Sequence, residues 1–298
     1  MNIKIAIAYH KPATILKGEN IFPLHVGKAI SDVDLGIQGD NTGDNISEKN
    51  PLYCELTGIY WLWKNTTADY KGLMHYRRIF TLQKDYTYKN VILKAKIALR
   101  SLLSVFRPLN SYGMRIEYFA GTEDNYRKHA NKLDNEIERI LQRDTNIIVP
   151  SPEYCFLPVS VTFAPEAPHW AIQLIGEIAK ESYPDFAESY KQSLGKHYIY
   201  QRNMFVMDNT TYNEYCTILF SVLQAFEERS ISNNYLKDIK EEKAVSRIIG
   251  YLGELLTNAF IQYCITKGKK AQALPLMIFD NSQEYAGKQI SISDNNHP

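Results

Sequence analysis

The sequence predicts an α/β fold, a central sheet flanked by helices with a helical C-terminal part. Residues 3–8 (IKIAIA) form a near-continuous β-type apolar run, the pattern of a buried parallel strand. Two later stretches repeat the order helix then strand. An apolar helical pattern starting at Asn50 leads into residues 69–76, and a helical pattern over 133–143 leads into 146–149. From His169 onward helical patterns dominate, interrupted by one short extended run, NMFVM at 203–207.

The chain has 298 residues, long enough for a sizeable core, and is expected to form one domain. Its 34 Lys+Arg against 33 Asp+Glu give a net charge of +1, which argues against a nucleic-acid binder. Hydrophobic content of 45% fits a globular protein. The 21 tyrosines suit sugar-stacking surfaces as well as ordinary packing. Cys54, Cys155, Cys216 and Cys264 lie far apart, with no CxxC pair and no zinc spacing, so they read as reduced thiols. The apolar run at the amino terminus is too short for a signal peptide, and no stretch approaches the roughly 20 apolar residues of a spanning helix. The expectation is a soluble, cytoplasmic protein. The Pro-rich segment 150–168 is the expected seam between halves 1–150 and 151–280, and 281–298 reads as a flexible tail.

Along the chain, the first strand ends in Tyr9-His10-Lys11-Pro12. The carboxyl edge of an open α/β sheet is where ligands sit, so His10 and Lys11 suit a base, ribose or phosphate, with a solvated loop as the alternative. Residues 21–26 (IFPLHV) form a second extended piece. The loop that follows carries Asp40, Asn41, Thr42, Gly43, Asp44, Asn45 and Ser47, groups suited to turns and hydrogen bonds. Asp40 and Asp44 are not a compact DxD; they read either as ligands for a divalent ion or as parts of an Asx-rich turn. Asn50-Pro51 opens a helix in which Leu52, Leu56, Ile59 and Trp63 share a face. Glu55 is the one carboxylate in this apolar helix, and a buried carboxylate needs a cation or several donors. The arginines of the next strand, Arg77 and Arg78, are its expected partners.

That strand ends in His75, Tyr76, Arg77 and Arg78. Alternation places His75 and Arg77 on one side and Tyr76 and Arg78 on the other while the chain stays extended. Arginine pairs bidentately with phosphate oxygens, so the cluster reads as a phosphate site or as a structural ion-pair cluster. From Tyr86 to Ile116 there is no acidic residue, and an apolar helical face is flanked by lysines and arginines. This stretch suits contact with an anionic membrane through 89–115, or ordinary packing on the core. Helices are expected over 169–181, 185–194, 211–226 and 241–265, and a last strand over 271–279. In the final helix Arg247, Tyr251 and Glu254 fall on one face. There is no P-loop, GxGxxG, HExxH or GxSxG.

The string DNTGDNISEKNPLYCELTGIYWLWKN…ADYKGLMHYRRIF closely resembles the DUF4422 family of bacterial polysaccharide-synthesis proteins, also called glycosyltransferase family 111. AYHKP, PLHVGKAI, NMFVM and RIIGYLGELL resemble its other blocks, so the match runs from residue 3 to about 265. The resemblance implies a GT-A-like fold with a Rossmann-type central sheet. It also implies inverting transfer of galactofuranose from a UDP donor to a lipid-linked or polysaccharide acceptor. Residues 1–150 would then form the donor half and 151–280 the acceptor half. HYRR stands where GT-A enzymes commonly place a metal-binding DxD. Arg77 and Arg78, helped by His75 and Tyr76, would therefore stabilise the diphosphate with no cofactor required. Asp40 and Asp44 are the ligands if Mn²⁺ or Mg²⁺ is used. His10, Lys11, Asn45, Glu55, Asn203 and Arg247 complete the expected donor site. Glu254, in the terminal block, is the expected catalytic base, and Asp44 is the second choice. The rival readings are a sugar-phosphate transferase and a non-catalytic glycan- or nucleotide-binding subunit. Such work places the protein in the cytoplasm or at the inner face of the membrane.

Overall fold

The computed structural model describes residues 1–82, 123–200, 202–232, 247–278 and 289–291, with the backbone alone at 123–131, 278 and 289–291. The basic stretch 86–116, the start of the predicted final helix (241–246) and most of the tail lie outside these residues. In chain order the strands are β1 (Ile3–Tyr9), β2 (Ile15–Lys17), β3 (Ile21–His25), β4 (Gln38–Gly39), β5 (Tyr70–His75), β6 (Arg78–Phe80), β7 (Ile147–Pro150), β8 (Glu153–Tyr154), β9 (Tyr198–Ile199), β10 (Phe205–Asp208), β11 (Ala271–Leu274), β12 (Leu276–Ile278) and β13 (Gln289–Ser291). The helices are α1 (Asn50–Tyr53), α2 (Leu56–Asn65), α3 (Glu123–Leu141), α4 (Val159–Thr162), α5 (His169–Ser182), α6 (Pro184–Leu194), α7 (Asn209–Ser232) and α8 (Ile248–Thr266).

The main sheet is mixed, in the order β11-β7-β10-β5-β1-β3-β4. β1 is parallel to both β3 and β5, and Ala8 faces His75 while Tyr9 faces His25. His10, His25 and His75 therefore gather at one carboxyl edge. β10 runs antiparallel to β5, with Phe205 opposite Leu73, so its amino end lies at that same edge. β10 and β11, which follow the Pro-rich segment, share this sheet with β1 and β5, which precede it.

Alternation along the strands separates two buried clusters, one on each sheet face. Ile5, Ile7, Met74 and Val206 pack with Leu133, Ile137 and Leu141 of α3. Ala6, Ala8, Leu73 and Phe205 pack with α2, α7 and α8 through Leu56, Ile59, Leu219, Leu256 and Phe260. The α/β class and the order of elements agree with the sequence reading. α8 has the length and composition to cross a membrane, yet 78% of its apolar window is buried inside the fold. It is a core helix, apolar on nearly every side because the protein surrounds it.

Two local expectations need correction. The predicted helix from Asn50 is broken: Cys54 has φ 52° and ψ −134°, outside helical space. Its carbonyl accepts hydrogen bonds from Asn50 Nδ2 (2.8 Å) and Thr57 Oγ1 (3.2 Å). The side chains of Asn50 and Thr57 thus replace the helical ladder at the break. The second correction concerns the strand carrying His75. It ends there, the chain turns at Tyr76-Arg77, and β6 returns antiparallel with Arg78 opposite His75. The two-sided alternation predicted for HYRR does not occur.

Gly72 sits mid-sheet, where a Cβ would lie 2.5 Å from the carbonyl oxygen of Phe205. Gly72→Ala is expected to cost about 1–3 kcal/mol by forcing β5 and β10 apart, measured as a lowered midpoint of urea unfolding.

Candidate active site

A cavity of about 500 Å³ opens at the carboxyl edge of β1, β3 and β5, within the size range of small-ligand sites. Ala8 and Val26 line it from the strands, and Gly27, Ile30 and Ser31 from the loop after β3. Asn50, Pro51, Cys54 and Glu55 come from the broken helix, and His10, His75 and Arg247 supply basic groups.

Glu55 is the carboxylate in this wall, 9% exposed. Its Oε1 accepts from Asn203 Nδ2 at 2.9 Å, and its Oε2 lies 3.9 Å from His75 Nε2. Burial pushes its proton affinity up, but His75 and the Asn203 amide outweigh burial and hold the carboxyl below its ordinary range. Glu55 is therefore ionised at neutral pH. The expected pairing with Arg77 or Arg78 is replaced by Asn203 and His75. The turn at Tyr76 carries the arginines off the strand, while the antiparallel β10 delivers Asn203 to its end.

His10 packs edge-on against Tyr76, with ring centroids 5.2 Å apart. Desolvation, then His75, Lys11 and Arg247, push its pKa down to about 4, so the ring is neutral at pH 7. Lys11 is exposed. Arg247 stands just before α8, with its guanidinium 5.9 Å from the Tyr251 ring and Nε 3.2 Å from Cys54 Sγ. Burial and the nearby Glu55 push the Cys54 thiol up to about 11, so it stays protonated. At neutral pH the lining thus carries both the permanent cation of Arg247 and the anion of Glu55.

Asp40 is fully buried, and it organises the loop above the cavity. Its Oδ2 accepts from Gly27 N (2.9 Å), and its Oδ1 accepts from Lys28 N (3.1 Å) and from Ser47 Oγ. Asp44 is exposed and accepts from the Tyr60 hydroxyl at 3.1 Å. Asn45 bonds Gly43 O and Ser47 N within its own turn. The two aspartates therefore have separate partners. Among the described residues no group of three or more His, Cys, Asp or Glu is placed to hold a metal ion. Arg77 and Arg78 are not among the described residues that line the cavity.

Asn203 is fully buried, and its amide spans two side chains. Besides donating to Glu55, it accepts from Thr257 Oγ1 at 2.7 Å through Oδ1. The side chain expected in the donor site is thus engaged in internal contacts. Glu254 lies two turns of α8 beyond Arg247, roughly 10 Å along the axis. Its Oε2 accepts from Arg202 N at 2.9 Å. Burial, then the negative charge of Glu55, push Glu254 up to about 7, against partial relief from Arg202.

Cys54 and Gly27 line the cavity, and Arg202 and Thr257 bind Glu254 and Asn203 behind it; the sequence pattern marks none of the four as functional. The usable signal was the pair Arg202-Asn203 before a strand, since Asn tolerates left-handed backbone. The backbone break at Cys54 has no comparable signature.

A raised carboxyl pKa means the native state binds that proton more tightly than the unfolded chain. Stability from Glu254 is therefore full below its ordinary pKa of 4.5 and lost as pH rises toward about 7. Glu254→Gln, which keeps an acceptor for Arg202 N, is expected to raise Tm relative to the unsubstituted protein at pH 8 and not at pH 4. Calorimetry at the two pH values measures the difference.

No curated protein matches the chain. A solved structure of a WbbM bifunctional glycosyltransferase in its apo form superposes with a TM-score of 0.75 at 30% identity. The match covers 94% of this chain and 46% of that one, so the chain spans less than half the length of that protein. The model of DUF4422, described as a domain of unknown function, matches residues 4–266. With most of its length inside that match, the chain belongs to the DUF4422 family.

Proposed function

We propose that this chain is a glycosyltransferase. It moves a sugar, galactofuranose on the resemblance described above, from a UDP donor to a hydroxyl of a lipid-linked or growing polysaccharide acceptor, with inversion. The observation that carries this reading is the cavity at the sheet edge, lined by both Arg247 and the ionised Glu55. It lies in a chain that superposes on a glycosyltransferase at 30% identity.

In this mechanism Arg247 neutralises charge building on the departing diphosphate, and a ring N–H of His10 and of His75 donates to its oxygens. These three line the cavity, which favours them over Arg77 and Arg78 for the diphosphate. Glu254, which is outside the lining residues but is tied to the Glu55 wall through the adjacent Arg202 and Asn203, takes the proton of the acceptor hydroxyl. A carboxyl titrating near neutrality is well matched to general-base work at physiological pH. Asp40 is poorly suited to a metal, because both of its oxygens already accept hydrogen bonds. Transfer is therefore expected to continue in EDTA.

Incubation with a panel of UDP-sugars including UDP-galactofuranose, with the released nucleotide identified by chromatography, tests the proposal. UDP is the expected product. UMP would indicate phosphosugar transfer, and no release with any donor would indicate a binding subunit; either overturns the reading. Arg247→Ala is expected to lower kcat/KM by 10² or more. Glu254→Gln should lower kcat by about 10²–10⁴ while UDP binding, followed by calorimetry, stays unchanged.

A further inference from the structure

Two consecutive residues, Arg202 and Asn203, have left-handed backbone, with φ 78° and 49°. The pair touches three carboxylates, two of them, Glu55 and Glu254, far apart in sequence. The Arg202 N–H donates to Glu254 Oε2 at 2.9 Å, and Asn203 Nδ2 donates to Glu55 Oε1 at 2.9 Å. Arginine rarely takes this conformation, and such residues persist only where the surroundings over-determine them. Here the surroundings do so on both sides. Thr257 Oγ1 donates to Asn203 Oδ1 and lies 2.7 Å from the Tyr215 hydroxyl, while Arg202 Nη2 holds Glu153 Oε1 at 3.0 Å. Extended backbone at either residue would turn its donor away from its carboxylate.

We propose that Asn203 is a positioning residue: with the Arg202 backbone amide it holds Glu55 and Glu254 as one coupled pair, Glu55 carrying the charge and Glu254 the exchangeable proton. The inference rests on the transferase reading and gives its base an origin. The acceptor O–H proton passes to the Glu254 carboxylate as the new C–O bond forms at the sugar. The bond to the diphosphate breaks, its electron pair leaves with UDP, and the proton is later lost to water. The fixed charge of Glu55 strengthens Glu254 as a base by disfavouring a second negative charge.

The charged and titratable groups around Glu254 are Glu55, Arg202, Glu153 and Cys54, with Tyr251 on its own helix. Those around Glu55 are His75, His10, Arg247, Cys54 and Tyr215. Of the groups around Glu254, burial apart, the charge of Glu55 raises its proton affinity most.

The test is a carboxyl ¹³C NMR titration of the full chain labelled at glutamate, without substrate, with the Glu254 signal assigned by its loss in Glu254→Gln. The expected midpoint for Glu254 is near 7. Glu55→Gln should lower it by one unit or more, and Asn203→Ala should lower it in the same direction. An ordinary carboxylate midpoint in the unsubstituted protein, or no movement in Glu55→Gln, overturns the proposal. If Asn203→Ala does not fold, Thr257→Val, which removes the hydroxyl fixing the amide, replaces it, and an unmoved midpoint there counts equally against Asn203. A coupled titration without UDP release overturns the transferase reading alone. UDP release with an ordinary midpoint overturns the pair alone.

Discussion

Burying the carboxylate of Glu55 at the end of β5 is the constraint on which the architecture of the cavity depends. Desolvating such an ion costs several kcal/mol unless donors and an opposite charge compensate it. Asn203 and His75 supply that compensation. Each of them requires something of the fold. Asn203 reaches Glu55 because β10 runs against the parallel strands and begins where they end. Glu55 reaches the edge because the helix breaks at Cys54. Backbone of that kind costs about 1–3 kcal/mol for a residue other than glycine. Gly250 of α8 accommodates the break: a Cβ there would lie 2.9 Å from Cys54 Sγ and 3.1 Å from Cys54 Cβ.

The second buried carboxylate, Asp40, has a different role. It is bound on both oxygens by backbone N–H groups and a hydroxyl, so it fixes the loop from Gly27 to Ser47 as a rim. Glu55 has one oxygen bound by an amide and the other facing a histidine across 3.9 Å. A saturated carboxylate serves the frame, whereas a half-satisfied one beside a cavity retains electrostatic influence on whatever enters. The same loop therefore offers a rigid anion to the protein and leaves the reactive end of the site to Glu55, His75 and Arg247.

Much of the fold was legible in the chain because hydrophobic periodicity reports burial directly. The buried run of β1, the helix-to-strand order and the presence of a long final helix all followed from spacing. His10, Glu55, His75 and Arg247 were readable as chemistry-bearing residues at sheet ends and on a helix face, and the structure brings them to one cavity wall. Their partners were not readable. Pairing Glu55 with Arg77 assumed that the strand continued through HYRR, and a two-residue turn depends on tertiary pairing with β6 and β12 rather than on local pattern. Asn203 was expected in the donor site, and polarity alone does not reveal that both ends of its amide are already bonded inside. The Cys54 break escaped for a similar reason, since its causes, Asn50, Thr57 and Gly250, include a residue almost two hundred positions away.

The hydrogen bond from Asn203 to Glu55 spans 148 residues, and that from Thr257 to Asn203 closes a further 54. During synthesis the amino-terminal strands emerge long before either partner. Until then the segment around Glu55 has a carboxylate that must remain hydrated, and it cannot dock against the sheet edge without cost. Contacts of this range form late, because loop closure precedes the interactions that reward it. The cavity wall therefore depends on partners from the last third of the chain.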